Sequence, residues 1–397
     1  MAEDARKSGR VLLVTRNFPP LRGGMERVNQ RLLAGLAARR ETALCGPTGC
    51  AAHAPAGTWV VSAPVGNLVA FLSAGTIAAA RLALRFKPRV VIAGSGLTVP
   101  IAWLAARLVG ARLVAYLHGL DIVASSSIYR LVWRPWLSRC DLVFANSSNT
   151  ARLARNAGVA TTRIRIVHPG TDPAPPGVGK DAELRARLAP ETSLMLLSVG
   201  RLTPRKGLAE FIRDVLPRVR TKVPDVRLLV VGHDPEQALQ RPGHPESARI
   251  RKITGEAGLD DHVIWLDPCD DGTLSAIYAV ADVHVFPVRE TPGDVEGFGM
   301  VAIEAAAHGL PTVAYAVDGV PDAVLPGTTG ELVAAGDSAA FAVAIHGMAA
   351  AGRDHSWQVR CRDAARQFGW DRFDQGIARE IDALLADTRG GAADGEA

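Results

Sequence analysis

Ten short apolar runs, each separated from the next by a longer stretch of helical pattern or turn residues, set the first limit on what this chain can fold into. In the first half they are VLLVT (11–15), WVVSA (59–63), VVIAG (90–94), RLVAYLHG (112–119) and DLVFANS (141–147). In the second half they are LMLLSVG (194–200), VRLLVVG (226–232), HVIWLD (262–267), DVHVFPV (282–288) and PTVAYAV (311–317). Runs that are continuous rather than alternating belong to strands covered on both faces, as parallel strands joined by helical crossovers are. A chain of 397 residues exceeds what one core usually serves. HPGTDPAPPGVGK (168–180), with four prolines and three glycines, continues neither a helix nor a central strand and reads as a linker. The expected architecture is α/β, two successive doubly wound domains. A last helical pattern, DRFDQGIAREIDALLA (371–386), follows the second domain, and GGAADGEA after it has the composition of a disordered tail.

Charge and composition limit the partners. Cysteines at 45, 50, 140, 269 and 361 form neither an even framework nor a C-x-x-C pair, which reads as reduced thiols of a cytosolic protein. The opening MAEDARKSGR is polar and leads straight into the first run, so no secretory signal is read there. The two most apolar windows, 68–86 and 97–110, are broken by Arg81 and Arg107 and are expected to be helices rather than membrane spans. Residues 1–180 hold 23 Lys/Arg against 7 Asp/Glu, whereas residues 181–397 hold 22 against 33. So basic a first half is expected to face something anionic: a membrane surface, a phosphorylated substrate or nucleic acid. A solvated face without a partner is the plainer alternative. No RNA- or DNA-reading motif accompanies the charge, so no nucleic-acid partner is expected.

Ligands of open parallel sheets bind beyond the carboxyl ends of the strands. FPPLRGGMERVNQRLLAGLA (18–37) places Gly23 and Gly24 just before a helix starting near Met25, where bare amides form an anion site; a glycine turn without a ligand reads equally well. AGSGLTVP (93–100) gives G-x-G, but Val99 stands where a dinucleotide fingerprint needs its third glycine, so no NAD site is expected. SVGRLTPRKGLAEFI (198–212) sets Arg201 just after a strand and Lys206 five residues on. Arg grips two oxygens and Lys supplies a point charge, a pair suited to a diphosphate, although a basic surface pair has the same look. EGFGMVAIEAAAHGLP (296–311) holds Glu296 and Glu304 in an apolar segment, where buried carboxylates are costly unless paired. The helix is expected to start after Gly297, with free amides near Phe298, Gly299 and Met300 and with Glu304 about two turns inside. Either the carboxylates accept hydrogen bonds from sugar and ribose hydroxyls, or Glu296 caps the helix and Glu304 sits in a salt bridge; spacing alone leaves both open.

GRLTPRKG (200–207), followed about ninety residues later by EGFGMVAIEAAAHGLPTVA (296–314), resembles the retaining nucleotide-sugar glycosyltransferases built from two Rossmann-like domains facing across a cleft (GT-B). More narrowly, it is similar to the bacterial family that contains phosphatidylinositol mannosyltransferases. FPPLRGGME (18–26), HGLD (118–121), NSSNTARL (146–153) and VHPGTD (167–172) follow in family order, so the resemblance spans nearly the whole chain. It implies an acceptor domain at 1–175, joined by the helix 371–386, and a nucleotide-sugar donor domain at 176–370 that closes on its ligand. It implies that Glu296 contacts the donor sugar, Glu304 the ribose hydroxyls, and Arg201 and Lys206 the diphosphate. The amides around Phe298, Gly299, Met300 and Val301 then reach the sugar and phosphates, the Gly23-Gly24 loop approaches the donor, and His118 lies near the transferred sugar. His118, Arg201, Lys206 and Glu296 are thereby the catalytic set.

The resemblance further implies transfer of a hexose, with retention, from a GDP- or UDP-linked donor to a lipid-linked or saccharide acceptor, in cell-envelope glycan assembly. PVRETPGDVEGFG (287–299) carries a longer loop before Glu296 than many members, and its DVEG form leans the donor toward GDP-mannose. No D-x-D triplet occurs, so neither a metal nor another cofactor is expected, with Arg201, Lys206 and helix-terminal amides bearing the charge of the leaving diphosphate. Arg81, Arg85, Lys87 and Arg89, at the end of the apolar window 68–86, suit an anionic lipid surface and place the protein peripherally at the cytoplasmic face of the membrane. An epimerase needs acid–base carboxylates around the sugar and a phosphorylase a pyridoxal-phosphate lysine, and neither has a compelling candidate. A non-enzymatic anionic-surface binder is the remaining alternative.

Overall fold

Among the described residues (9–123, 129–179, 181–189, 194–235, 245–267 and 269–390 of a computed structural model), thirteen strands form two all-parallel sheets. The first holds β1 (Val11–Val14), β2 (Thr42–Pro47), β3 (Trp59–Ala63), β4 (Val90–Ala93), β5 (Arg112–Leu117), β6 (Leu142–Ala145) and β7 (Ile164–Ile166). Its spatial order is β3-β2-β1-β4-β5-β6-β7. The second holds β8 (Met195–Val199), β9 (Arg227–Val231), β10 (Val263–Leu266), β11 (Val283–Phe286), β12 (Thr312–Tyr315) and β13 (Gly330–Val333), in the order β10-β9-β8-β11-β12-β13. All ten apolar runs are strands. β2, β7 and β13 are additional, and each lacks a long apolar run: TALCGP contains Gly and Pro, IRI and GELV are short and charged. The tail beyond Gly390 lies outside the described residues.

This order fixes where ligands can sit. β1 pairs with β2 on one side and β4 on the other, Val11 lying opposite both Thr42 and Val90. β8 is likewise flanked by β9 and β11. At each of these central pairs the crossovers diverge in opposite directions, which parts the following loops and leaves a crevice beyond the strand ends. The loops so parted are 15–23 and 94–98 in the first sheet, and 200–207 and 287–299 in the second.

The chain divides into two units, one comprising Met1–Gly170 with Trp370–Ala397 and the other Thr171–Gly369. In the first, the helix Leu68–Phe86 is capped by Asn67, whose side chain accepts from the Val69 amide at 2.8 Å. It packs on β2, β3 and the helix Val99–Val109 through Phe71, Gly75, Ala79, Leu82, Ala83 and Phe86. By length and composition it is the one described helix apolar enough to cross a membrane, yet its buried face is spent on this sheet, and Val69, Ile77 and Leu84 are exposed. The helix Trp370–Gly390 returns to the first unit and packs on the helix Gly24–Ala37. Phe373 meets the buried Tyr116 at 5.7 Å, and Arg165 pairs with Glu380 at 2.8 Å. In the second unit Phe341 lies against Phe211 and Tyr315, at 5.7 and 4.7 Å, on the face of the sheet covered by the helix Ser338–Arg353. Burying each such ring contributes about 1.5–3 kcal/mol.

Candidate functional site

β8 ends at Val199, and the chain turns through Gly200 into Arg201, which is exposed, and then into the 3-10 turn Pro204–Lys206. Gly207 closes that turn at φ 69, in the left-handed region that favours glycine. A side chain there would meet the Pro287 carbonyl at 2.0 Å, so the turn is pressed against the loop that follows β11. The Arg289 amide donates to the Arg205 carbonyl across this contact at 2.9 Å.

Opposite charges are concentrated where the two loops meet. Lys206 Nζ lies 2.8 Å from Glu296 Oε2, and Arg205 Nη1 donates to the same oxygen. Arg205 Nε also donates to Asp294 Oδ1 at 2.9 Å. The side chains of Arg205, Lys206 and Glu296 are 6%, 17% and 12% exposed, so their pairing is what makes their burial tolerable. Burial acts to raise the Glu296 carboxyl, but Arg205 and Lys206 overcome it and hold the group at about 2. Burial draws the Lys206 ammonium below its ordinary value, with Glu296 opposing. Glu296 is therefore an ionised acceptor at neutral pH. Its amide donates to Asp318 Oδ2 and its carbonyl accepts from the Gly319 amide, both at 3.0 Å, which fixes the backbone as well.

The helix after Glu296 spans Met300–Ala307, two residues later than expected from sequence. Gly299 at φ 101 cannot belong to it, and a Cβ there would lie 2.7 Å from the Phe286 ring. Glu304 is therefore little more than one turn inside, not two, and helical rise accounts for about 6 Å between Met300 and Glu304. No side chain caps this helix and no acid lies in its first turn, which leaves the Met300 and Val301 end suited to an anion. The Phe298 side chain is buried edge-on to Phe368 at 5.8 Å, so Phe298 can serve a ligand through its backbone alone. Glu304 Oε2 accepts from the buried Tyr278 hydroxyl at 3.3 Å. Tyr278 stacks on His308, which bonds Ser275 and the Glu304 carbonyl.

In the first unit, Gly23 precedes the helix Gly24–Ala37 without a side-chain cap, and Glu26 in its first turn accepts from Asn17 at 2.7 Å. His118 is 6% exposed, and its Nε2 lies 3.0 Å from the Gly94 carbonyl, which also accepts from the buried Asn29. Because a carbonyl only accepts, that bond places the ring proton on Nε2. Burial lowers the His118 pKa, against the nearby Asp121. Asp121 accepts from the His118 amide at 2.9 Å and the Gly96 amide at 2.7 Å, tying the loops after β4 and β5 together.

The structure thus gathers Arg201, Lys206, Glu296, Gly299, Met300, Val301 and Glu304 on neighbouring loops and one helix start of the second unit, and Gly23, Gly24 and His118 on loops of the first. Arg205, Asp294, Asp318, Tyr278 and Asp121 were not singled out from sequence. The one visible signal, the opposite charge of PRK (204–206) and DVE (294–296), concerns Arg205 and Asp294 alone. Among the described residues no group of three or more His, Cys, Asp or Glu gathers as a cation site. A cavity of about 550 Å³ opens by His308, His355, Gln358 and Arg362, at the far end of the helix Met300–Ala307, and shares no residue with the expected set.

Two family models match the chain: Glycosyltransferase Family 4 over residues 22–175 and Glycosyl transferases group 1 over residues 193–350. A GDP-mannose-dependent alpha-(1-6)-phosphatidylinositol monomannoside mannosyltransferase of Mycolicibacterium smegmatis is 30% identical over 381 residues, covering 89% of this chain and 96% of that protein. The protein of the same description from Mycobacterium tuberculosis is 32% identical over 341 residues, covering 82% and 85%. In fold, the chain is similar to HepE of Anabaena in complex with UDP, with a TM-score of 0.76, 20% identity and coverage of 94% of this chain and 100% of that one. Sucrose-phosphate synthase of Thermosynechococcus elongatus gives a TM-score of 0.75 at 23% identity, covering 96% and 100%.

Proposed function

Because the chain belongs to the group 1, family 4 glycosyltransferases and uses a nucleotide-sugar donor, we propose that it moves mannose from GDP-mannose to an inositol phospholipid acceptor, with retention, at the cytoplasmic face of the membrane. The observation that carries the donor reading is the ionised Glu296, held by Lys206 beside an uncapped helix start. Such a carboxylate accepts hydrogen bonds from sugar hydroxyls, while Arg201, Lys206 and the Met300 end of the helix take the diphosphate. Glu304, one turn on, takes the ribose hydroxyls. His118 and the Gly23-Gly24 loop are assigned to sugar and donor by resemblance alone.

In the reaction so written, the bond between the anomeric carbon and the diphosphate oxygen breaks as an acceptor oxygen bonds to the same carbon on the same face. The acceptor proton passes to the leaving phosphate oxygen, and nothing is oxidised. Support for mannose and for the lipid comes from the descriptions of the mycobacterial relatives and from the DVEG loop. Support for the membrane surface comes from the exposed Arg81, Arg85 and Lys87 at the end of the helix Leu68–Phe86; Arg89, counted with them from sequence, is half-buried.

Incubation with radiolabelled GDP- and UDP-hexoses, each with an inositol phospholipid or a soluble inositol phosphate, tests this reading. Label from GDP-mannose should enter the lipid fraction. Transfer from a UDP-hexose alone overturns the mannose assignment, transfer to the soluble acceptor alone overturns the lipid assignment, and hydrolysis of GDP-mannose without transfer to either keeps the donor and overturns the inositol acceptor.

A further inference from the structure

The long loop before Glu296 has no role in the reaction as written, and Arg205 belongs to no expected site. The two meet. Arg205 is the most deeply buried cation of the cluster, its guanidinium bonded at once to Asp294 and Glu296, and its carbonyl bonded to the Arg289 amide. The loop 287–296 is therefore tied at both its ends to one residue of the turn after β8. Within the loop, the Asp294 amide donates to the Thr291 carbonyl at 3.0 Å.

We propose that Arg205 is a positioning residue for sugar transfer: it fixes Glu296 against the donor sugar and, by sharing the Glu296 carboxylate with Lys206, leaves part of the Lys206 charge to the diphosphate. The charge balance carries the second half. Arg205, Lys206, Asp294 and Glu296 together are neutral, Arg201 adds one exposed positive charge, and Asp318, whose carboxylate accepts from the Glu296 amide and faces Arg205, adds one negative charge. Without Arg205, Lys206 becomes the sole cation on a buried carboxylate, and the diphosphate competes with Glu296 for it. Asp294 gives the guanidinium a second anchor, so its plane, and the oxygen it grips, has one orientation. A lysine has one point charge and makes one of these two contacts well.

The inference rests on the donor reading above, and its test separates the two. Amide hydrogen exchange on the full chain needs no turnover: in R205Q, exchange at Asp294 and Glu296 should speed up by about tenfold or more, with the strand β11 unchanged. Kinetics with the donor that the wild type uses should show kcat falling about tenfold or more in R205Q, partial recovery in R205K, and a smaller fall in D294N. The acid limb of the kcat profile should move to higher pH, because Glu296 loses a cation. D294N keeps the Arg205–Glu296 pair and serves where R205Q does not fold. Unchanged loop exchange in R205Q, or in D294N where it alone folds, overturns the positioning role whatever the donor is. Faster exchange with wild-type kcat and an unmoved acid limb shows that the tie is structural only and overturns it as well. Failure of the wild type to use any nucleotide sugar sinks the donor reading, while the exchange result still decides the tie.

Discussion

Lys206 has two anionic claims on it, Glu296 in the free protein and the diphosphate in the proposed complex. Its ammonium has three donors, so both can be met, but each at the expense of some field at the other. Replacing Arg201 or Lys206 by Ala is expected to weaken a nucleoside diphosphate by about 1.5–3 kcal/mol, and Glu304→Gln by a similar amount. Glu296→Gln should chiefly lower kcat. Calorimetry giving wild-type affinity for R201A, K206A and E304Q alike would remove the site. Activity is expected to persist in excess EDTA, and complete loss restored by Mg²⁺ would contradict a reaction whose leaving-group charge is borne by Arg201, Lys206 and amides. Glu296 also links stability to pH. Its carboxyl lies at about 2 against an ordinary 4.5, so its pairing stabilises the fold fully above about pH 4.5 and is lost as pH falls through about 2. The amount is on the order of 3 kcal/mol. Melting curves of wild type and E296Q should therefore converge over that range; a constant gap between them would show that Glu296 is not held as described.

At the level of elements, the start of the helix Met300–Ala307 is set by one backbone position. Gly299 combines a left-handed φ with contact against Phe286, so Gly299→Ala faces both strain and overlap and should cost about 2–4 kcal/mol. Loss of nucleotide affinity should accompany it; a G299A protein with wild-type melting and binding would show that the helix start tolerates a shift. Legibility from sequence divides along the same line. Continuous apolar runs betray themselves, so ten strands and the doubly wound plan were readable, whereas IRI and GELV are too short and charged to stand out. Arg201, Lys206, Glu296 and Glu304 stand out in the sequence through their motifs and the resemblance, since spacing alone leaves the roles of the two glutamates open. Arg205 was not, because its partners Asp294 and Glu296 lie 89 and 91 residues away and the packing of Gly207 on Pro287 brings them together. Helix starts depend on one φ angle, which composition does not reveal; hence Glu304 was expected a turn too deep.

For the molecule as a whole, charge follows the units rather than the halves of the chain. With its returning helix the first unit holds 25 Lys/Arg against 13 Asp/Glu, and the second 20 against 27. The returning helix thus moderates the basic character read from residues 1–180 without reversing it. Each exposed cation near an anionic leaflet is worth about 1 kcal/mol, so R81S/R85S/K87S together should weaken binding to anionic vesicles by about 3 kcal/mol. Sedimentation with vesicles should also show binding that falls with salt. Equal partitioning onto neutral and anionic vesicles would leave the charge without that role. Thr171 and Gly369 pair side by side, the Thr171 amide donating to the Phe368 carbonyl at 2.7 Å, so the second unit is an insert whose ends lie together. During synthesis, at about 5–20 residues per second, everything up to Gly369 leaves the ribosome before Trp370, Phe373 and Ile377 can fill their places in the first unit. The unit that is made first is therefore the last to be completed, and a released chain truncated after Gly369 should resist protease across 194–350 while its first 170 residues are still cut.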